Sequence, residues 1–325
     1  MNIMENKNDF TMLNDVKKDF DMGDNSLRTP SGNEKVLGID PLRNPSGDLT
    51  ESLLKEELEN RNNIITTISD PSPVVILFGA GQSGKTMTLI RLTRFLRSSG
   101  YKVVPDRTFR PAKSKYYQKM CDDFDSSINS PYAADSTKNV NFMLVKILSP
   151  NGKPICQILE APGEHYFKED APKAEFPTYI NAITQLHNRK TWIFIVECEW
   201  LDQLDRNNYA QKIVNMQNLI DTKDKVIFMC HKADRQPHWM PGQIPIEREF
   251  FRYIKNYYPN IFDNYINNNP VTKLWRKYNF DFIVFSSGLF NQADDNKIVF
   301  NQGKDRFPAK LWKSILKTIK GSWSL

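Results

Sequence analysis

Two kinds of segment are missing from these 325 residues. No apolar run approaches the roughly 18 residues that a membrane-spanning helix needs. The opening MNIMENKNDF has neither the basic nor the apolar region of a secretory leader, so the expected location is cytoplasmic. Cysteine is scarce. Cys121, Cys156, Cys198 and Cys230 are widely spaced, three of them in or beside apolar runs, which argues against a disulfide framework and for reduced, buried thiols. Histidine is as scarce: His165, His187, His231 and His238 form no zinc-like spacing with the cysteines, because the adjacent Cys230 and His231 lack a second pair. No structural metal is assigned. The interleaved basic and aromatic pattern of a single-strand binder is also absent, which sets nucleic acid aside as a partner.

What is present is a 40% hydrophobic content, enough for a real core, and an uneven charge. Residues 1–70 hold 14 Asp/Glu against 8 Lys/Arg, a balance of −6, so with a total of +6 the remaining 255 residues carry +12. Such a field suits an anionic ligand. Residues 1–71 are rich in Asn, Asp, Ser and Gly and read as an acidic, flexible tail; within it ESLLKEELENRNN (51–63) has the spacing of a short helix.

From residue 72 the texture changes to strand-length apolar runs alternating with helical patterns. The sequence predicts strands at 74–79, 140–148, 154–160, 191–197, 225–230 and 281–286, and helices near 85–98, 173–189, 207–221, 245–258 and 307–320. This alternation predicts an α/β domain over 72–325: a mostly parallel six-stranded sheet with helices on both faces. One strand is antiparallel, because only SPNGK, with its Asn151-Gly152 turn, separates 140–148 from 154–160.

The chemistry begins at VVILFGAGQSGKTMTL. Gly79, Ala80, Gly81, Gln82, Ser83, Gly84, Lys85 and Thr86 fit G-x-x-x-x-G-K-[ST]. Glycines let the backbone wrap phosphate oxygens, amides and a helix N-terminus supply positive potential, Lys85 reaches the outer phosphates and the Thr86 hydroxyl can ligate Mg²⁺. By residue usage such a match arises by accident on the order of once in a hundred chains of this length. Next, LEAPGEHYF closes an apolar run with Glu160, a carboxylate able to hold Mg²⁺ directly or through water, and Gly163 can offer its N–H to the terminal phosphate. VIFMCHKADRQ ends another strand with His231, Lys232 and Asp234; a carboxylate here can accept two hydrogen bonds from the guanine edge, which adenine cannot donate. FIVFSSGLF ends the next with Ser286, Ser287 and Gly288, small residues that let backbone approach a base.

In this order the four segments resemble the P-loop GTPases of the Ras-like and translation-factor class, over about residues 72–320. GAGQSGKT (79–86), EAPG (160–163), HKAD (231–234) and SSG (286–288) stand for that family's four motifs. The resemblance implies GTP or GDP and Mg²⁺ as ligands, with Lys85 at the outer phosphates, Thr86 and Glu160 at the metal, Gly81 leaving the γ-phosphate region clear, and Gly163 sensing that phosphate. Lys232 and Asp234 read guanine. It also implies a switch threonine ahead of the hairpin, for which Thr137, beside Ser136, is the match as metal ligand and catalytic residue. Glu164 takes the place of the group that orients attacking water; His165 is the alternative, read otherwise as a surface loop residue. Two departures stand out: Glu160 replaces an Asp, and His231 replaces an Asn or Thr.

Insertions at 101–139 and 235–280 enlarge the domain. The first reads either as a partner-facing element or as an extra strand and helix on the sheet; the aromatic stripe of REFFRYIKNYYPNIFDNYI in the second reads as core. With these inserts the chain resembles bacterial double-GTPase proteins, in which a GTPase acts beside a second one, so a protein partner is expected through the insertions. The final helix, PAKLWKSILKTIK, is basic and amphipathic and either lies on an anionic membrane or packs on the sheet. The function expected is slow GTP hydrolysis as a molecular switch. The alternatives are a nucleotide-locked scaffold without turnover and an ATP-using P-loop enzyme.

Overall fold

The computed structural model describes residues 60–132, 142–200, 202–235, 245–292 and 298–320. Seven strands form one sheet: β1 (Val74–Phe78), β2 (Lys102–Pro105), β3 (Met143–Leu148), β4 (Pro154–Glu160), β5 (Lys190–Glu197), β6 (Lys225–His231) and β7 (Phe280–Val284), in the order β2-β3-β4-β1-β5-β6-β7. β1 pairs in parallel with β4 and β5, β5 with β6, and β6 with β7. Only β3 runs against its neighbours, joined to β4 by the hairpin in which Gly152 takes φ 78. The count corrects the expected six. The extra strand is β2, four residues at the sheet edge with alternating exposure, too short to show as an apolar run.

The helices are α1 (Lys85–Ser98), α2 (Lys115–Asp122), α3 (Phe124–Asn129), α4 (Thr178–Thr184), α5 (Gln203–Met216), α6 (Glu247–Tyr257), α7 (Pro270–Lys273) and α8 (Arg306–Lys320). A separate two-stranded sheet pairs β8 (Gly288–Gln292) with β9 (Ile298–Gln302). Alternation along β5 shows the two covered faces. Thr191 bonds Thr318 of α8, whereas the rings of Trp192 and Phe194 turn the other way and stack together, Phe194 reaching Tyr265 in the connection after α6. Every residue of β1 is buried, as a central parallel strand requires.

The insertion after α1 contributes β2, α2 and α3 to this body. Its core residues Phe109, Tyr117 and Phe124 are buried. The stripe in the second insertion is core as read: Phe250, Ile254, Tyr258, Ile261 and Phe262 are all buried. α4 is much shorter than the 173–189 pattern because Pro177 sets its start and Gln185 already leaves it. The apolar face of α8 is used inside the fold, with Leu311, Trp312 and Ile315 buried, so this helix packs on the sheet, as one of its two readings expected. Among the described residues no helix is long and apolar enough to cross a membrane.

Candidate functional site

Parallel strands deliver their C-terminal ends to one margin of the sheet, and the loops after β1, β4, β6 and β7 meet there. The loop after β1 turns through Gln82 at φ 58 and Gly84 at φ 92, both left-handed, before α1 begins at Lys85. A non-glycine residue at positive φ is held there by its surroundings. Lys85 is buried, and its Nζ donates to the carbonyls of Gly79 at 3.1 Å and Ala80 at 2.8 Å, closing the loop on itself. Burial lowers its pKa, while the carboxylates of Glu160, Glu164 and Glu197 work against that shift.

Glu160, last residue of β4, is buried next to this loop. Thr86 Oγ1 donates to its Oε1 at 2.9 Å across 74 residues of sequence. The other oxygen, Oε2, is buried with no hydrogen-bond partner among the described residues. Burial pushes this carboxyl up to about 8, against the pull of Lys85 and the Thr86 bond. A buried carboxylate with one oxygen spare, beside a threonine hydroxyl, is a hard-oxygen donor set. No group of three or more His, Cys, Asp or Glu side chains suited to a metal occurs among the described residues. Two oxygen donors fit an ion that takes few protein ligands and completes its shell with phosphate and water, as Mg²⁺ does.

The loop after β4 lies directly on the loop after β1. A Cβ on Gly163 would stand 2.2 Å from the Gly81 nitrogen and 2.3 Å from the Ala80 carbonyl carbon, so only glycine permits the contact. Glu164 points its carboxylate at the same place: Oε1 would be 2.9 Å from a Cβ on Gly81. His165 turns inward instead. It is buried, its Nδ1 lies 2.6 Å from the Tyr179 hydroxyl and its ring packs edge-on to Phe142. This corrects the surface-loop reading of His165.

β6 ends at His231, whose ring stacks over Phe285 with Nε2 at 3.1 Å from Ser287 Oγ. Lys232 takes φ 54 and its ammonium pairs with Glu197 Oε2 at 2.5 Å. Asp234 follows in a half-buried turn. Ser286 and Ser287 are buried after β7, and Gly288, at φ 144, starts the β8–β9 hairpin, where a Cβ would strike the Asn301 carbonyl at 2.2 Å. Gly288 is thus required by the hairpin itself. Thr137 and Ser136 lie outside the described residues.

Sequence reading passed over two residues at this margin. Glu197 ends the apolar run of β5 as Glu160 and His231 end theirs, a positional signal that was available; Tyr258 of the connection after α6 fixes it, bonding both the Glu197 amide and carbonyl through its hydroxyl. Arg61, whose Nη1 donates to the Glu164 carbonyl at 2.6 Å, sits in no motif.

No protein-family model matches the chain, and no curated protein does. Solved structures similar to it include a chain described as nucleolar GTP-binding protein 1 from Plasmodium falciparum. That match has 13% identity and a TM-score of 0.38, and spans 79% of this chain and 91% of that one. Another is the GTPase-like domain of Ski7 from S. cerevisiae, bound to GDP and inorganic phosphate. There the identity is 14% and the TM-score 0.37, over 78% of this chain and about half, 51%, of the other.

Proposed function

We propose that the chain binds a guanine nucleotide with Mg²⁺ at the margin formed by the loops after β1, β4, β6 and β7, and hydrolyses GTP slowly. The observation that carries this reading is the meeting of Thr86 and the half-satisfied carboxylate of Glu160 beside the loop of Gly79–Lys85. In this reading Mg²⁺ supplies charge neutralisation at the β- and γ-phosphates. The amides of Gly81–Thr86 and the N-terminus of α1 cradle the phosphates, and Lys85 trades its carbonyl partners for phosphate oxygens. Lys232, held by Glu197, covers the base, and Asp234 accepts from the guanine edge. Glu164 is the group placed to hold an attacking water. Its negative charge beside the γ-phosphate keeps turnover slow.

That same charge favours a second reading, a binder of GTP or GDP that does not turn it over. Either way guanine is the base. Fluorescent GDP should bind at micromolar concentration or tighter, and Asp234→Asn should weaken guanine and admit xanthine; equal competition by ATP overturns the base assignment. Single-turnover phosphate release, with Lys85→Ala as control, separates hydrolysis from simple holding. The insertions, β2 to α3 and the segment around α6, are the surfaces we assign to a protein partner, including a second GTPase.

A further inference from the structure

The segment ahead of β1 reaches the site. Residues 60–70 are tied along the domain: Ile64 is buried, Arg110 donates to the Ile65 carbonyl at 3.0 Å, and the Thr67 amide donates to Phe109 at 2.8 Å. The Asp70 carbonyl accepts from the side chains of Gln157 and Asn188. At the upper end Asn60 caps the turn Arg61–Asn63, and Asn62 Oδ1 accepts from the amide and hydroxyl of Thr178 at the start of α4. Arg61, fixed between these anchors, gives its guanidinium to the carbonyl of Glu164 at 2.6 Å. The turn it grips is the one whose Gly163 rests on the Ala80–Gly81 backbone and whose carboxylate faces Gly81.

We infer that Arg61 is a positioning residue of the nucleotide site, holding the Gly163–Glu164 turn against the P-loop and thereby setting the preference for a triphosphate over a diphosphate. The inference rests on the nucleotide reading above. Two effects act in the same direction. The guanidinium–carbonyl bond is charge-assisted and comes from a side chain whose neighbours are already anchored, so little ordering remains to be done when ligand arrives. The guanidinium also brings a permanent positive charge to a mouth where Glu164 brings a negative one and a third phosphate adds more. A diphosphate stops short of this turn and draws on neither effect.

The test uses the full chain carrying Arg61→Ala or Arg61→Lys. Amide hydrogen exchange without nucleotide is read at Gly163–Phe167, and affinities with Mg²⁺ are measured for GDP and a non-hydrolysable GTP analogue. Arg61→Ala should speed exchange in the turn tenfold or more and lower the analogue-over-GDP affinity ratio three- to tenfold, with GDP affinity held within twofold. Arg61→Lys should recover part of the ratio. Unchanged exchange overturns the tie. Faster exchange with an unchanged ratio, or equal loss of both nucleotides, overturns the role at the site. If the unsubstituted chain takes up neither nucleotide, the nucleotide reading fails on its own account and the discrimination role falls with it, while the exchange measurement still decides whether Arg61 holds the turn.

Discussion

The ring of His231 fills the space that a side chain on Gly84 would need: a Cβ there would come within 2.3 Å of His231 Cε1. The loop after β6 thus braces the loop after β1 through an imidazole, at the position where the family resemblance leads one to expect an Asn or Thr. The ring is held from behind by Phe285 and from the side by Ser287. His231→Ala removes a buried ring and its hydrogen bond together, and should cost about 2–3 kcal/mol of stability. It should also weaken nucleotide binding tenfold or more. His231→Asn, which keeps a polar group against Gly84, should stay within about threefold of the parent in GDP titration. A parent-like affinity for the alanine variant would show that the brace is irrelevant to the ligand.

Gly163→Ala puts a methyl into backbone atoms that cannot swing aside, at 2.2 Å from the Gly81 nitrogen. Overpacking against rigid neighbours costs roughly 1–3 kcal/mol, and here the relief available is for the turn to lift from the loop after β1. Urea denaturation should show that loss. If the turn meets the third phosphate as proposed, nucleotide titration should show the GTP analogue losing more affinity than GDP. Equal affinities for both, with unchanged stability, would mean that the turn already stands off the loop in solution.

How much of this was legible in the sequence follows from how far each signal reaches along the chain. β4 and α1 have the bounds that their apolar periodicity marked, because each is set by local pattern and by a glycine-rich or proline-bearing end. β2 was foreseen only as an unplaced extra strand within 101–139, and the β8–β9 hairpin was missed: KVVP, GLFNQ and IVFNQ are short edge or paired strands whose existence depends on partners far away in sequence. The meeting of Thr86 and Glu160 could be read because two motifs at strand ends imply one margin. Arg61 could not, since its partner is a main-chain carbonyl 103 residues on, which leaves no trace in residue type. His165 was misread for a related reason: its burial comes from Phe142 and Tyr179, which only the fold brings to it.

Glu160→Gln keeps an oxygen for the Thr86 hydroxyl and removes the charge. If this carboxylate serves Mg²⁺, GDP affinity measured with the metal should fall at least tenfold, and EDTA should no longer weaken what binding remains. Lys85 also loses its largest favourable charge partner, so its pKa moves further down. That change acts on both metal-loaded and metal-free binding, whereas the loss of EDTA sensitivity belongs to the metal alone. An EDTA effect as large as the parent's would take Glu160 away from the metal.

His165 makes stability depend on pH in a direction that can be worked out. Burial pushes its imidazole down to about 4, and the charges of Arg61, Lys85, Lys168 and Arg110 push the same way. In the unfolded chain it titrates near 6.5. Between these values the unfolded state binds the proton and the folded state does not, so stability rises with pH; the contribution is complete above pH 6.5 and is lost as pH falls toward 4. The size is about 2–3 kcal/mol after allowing for partial solvent access. Glu160, raised by burial, has the opposite slope between its unfolded value and about 8, so the useful quantity is the difference between the parent and His165→Phe. Between pH 7.5 and pH 5 the urea midpoint of the parent should drop relative to that of the phenylalanine variant. Parallel losses would mean that His165 is protonated in the folded state, with its Tyr179 contact rearranged.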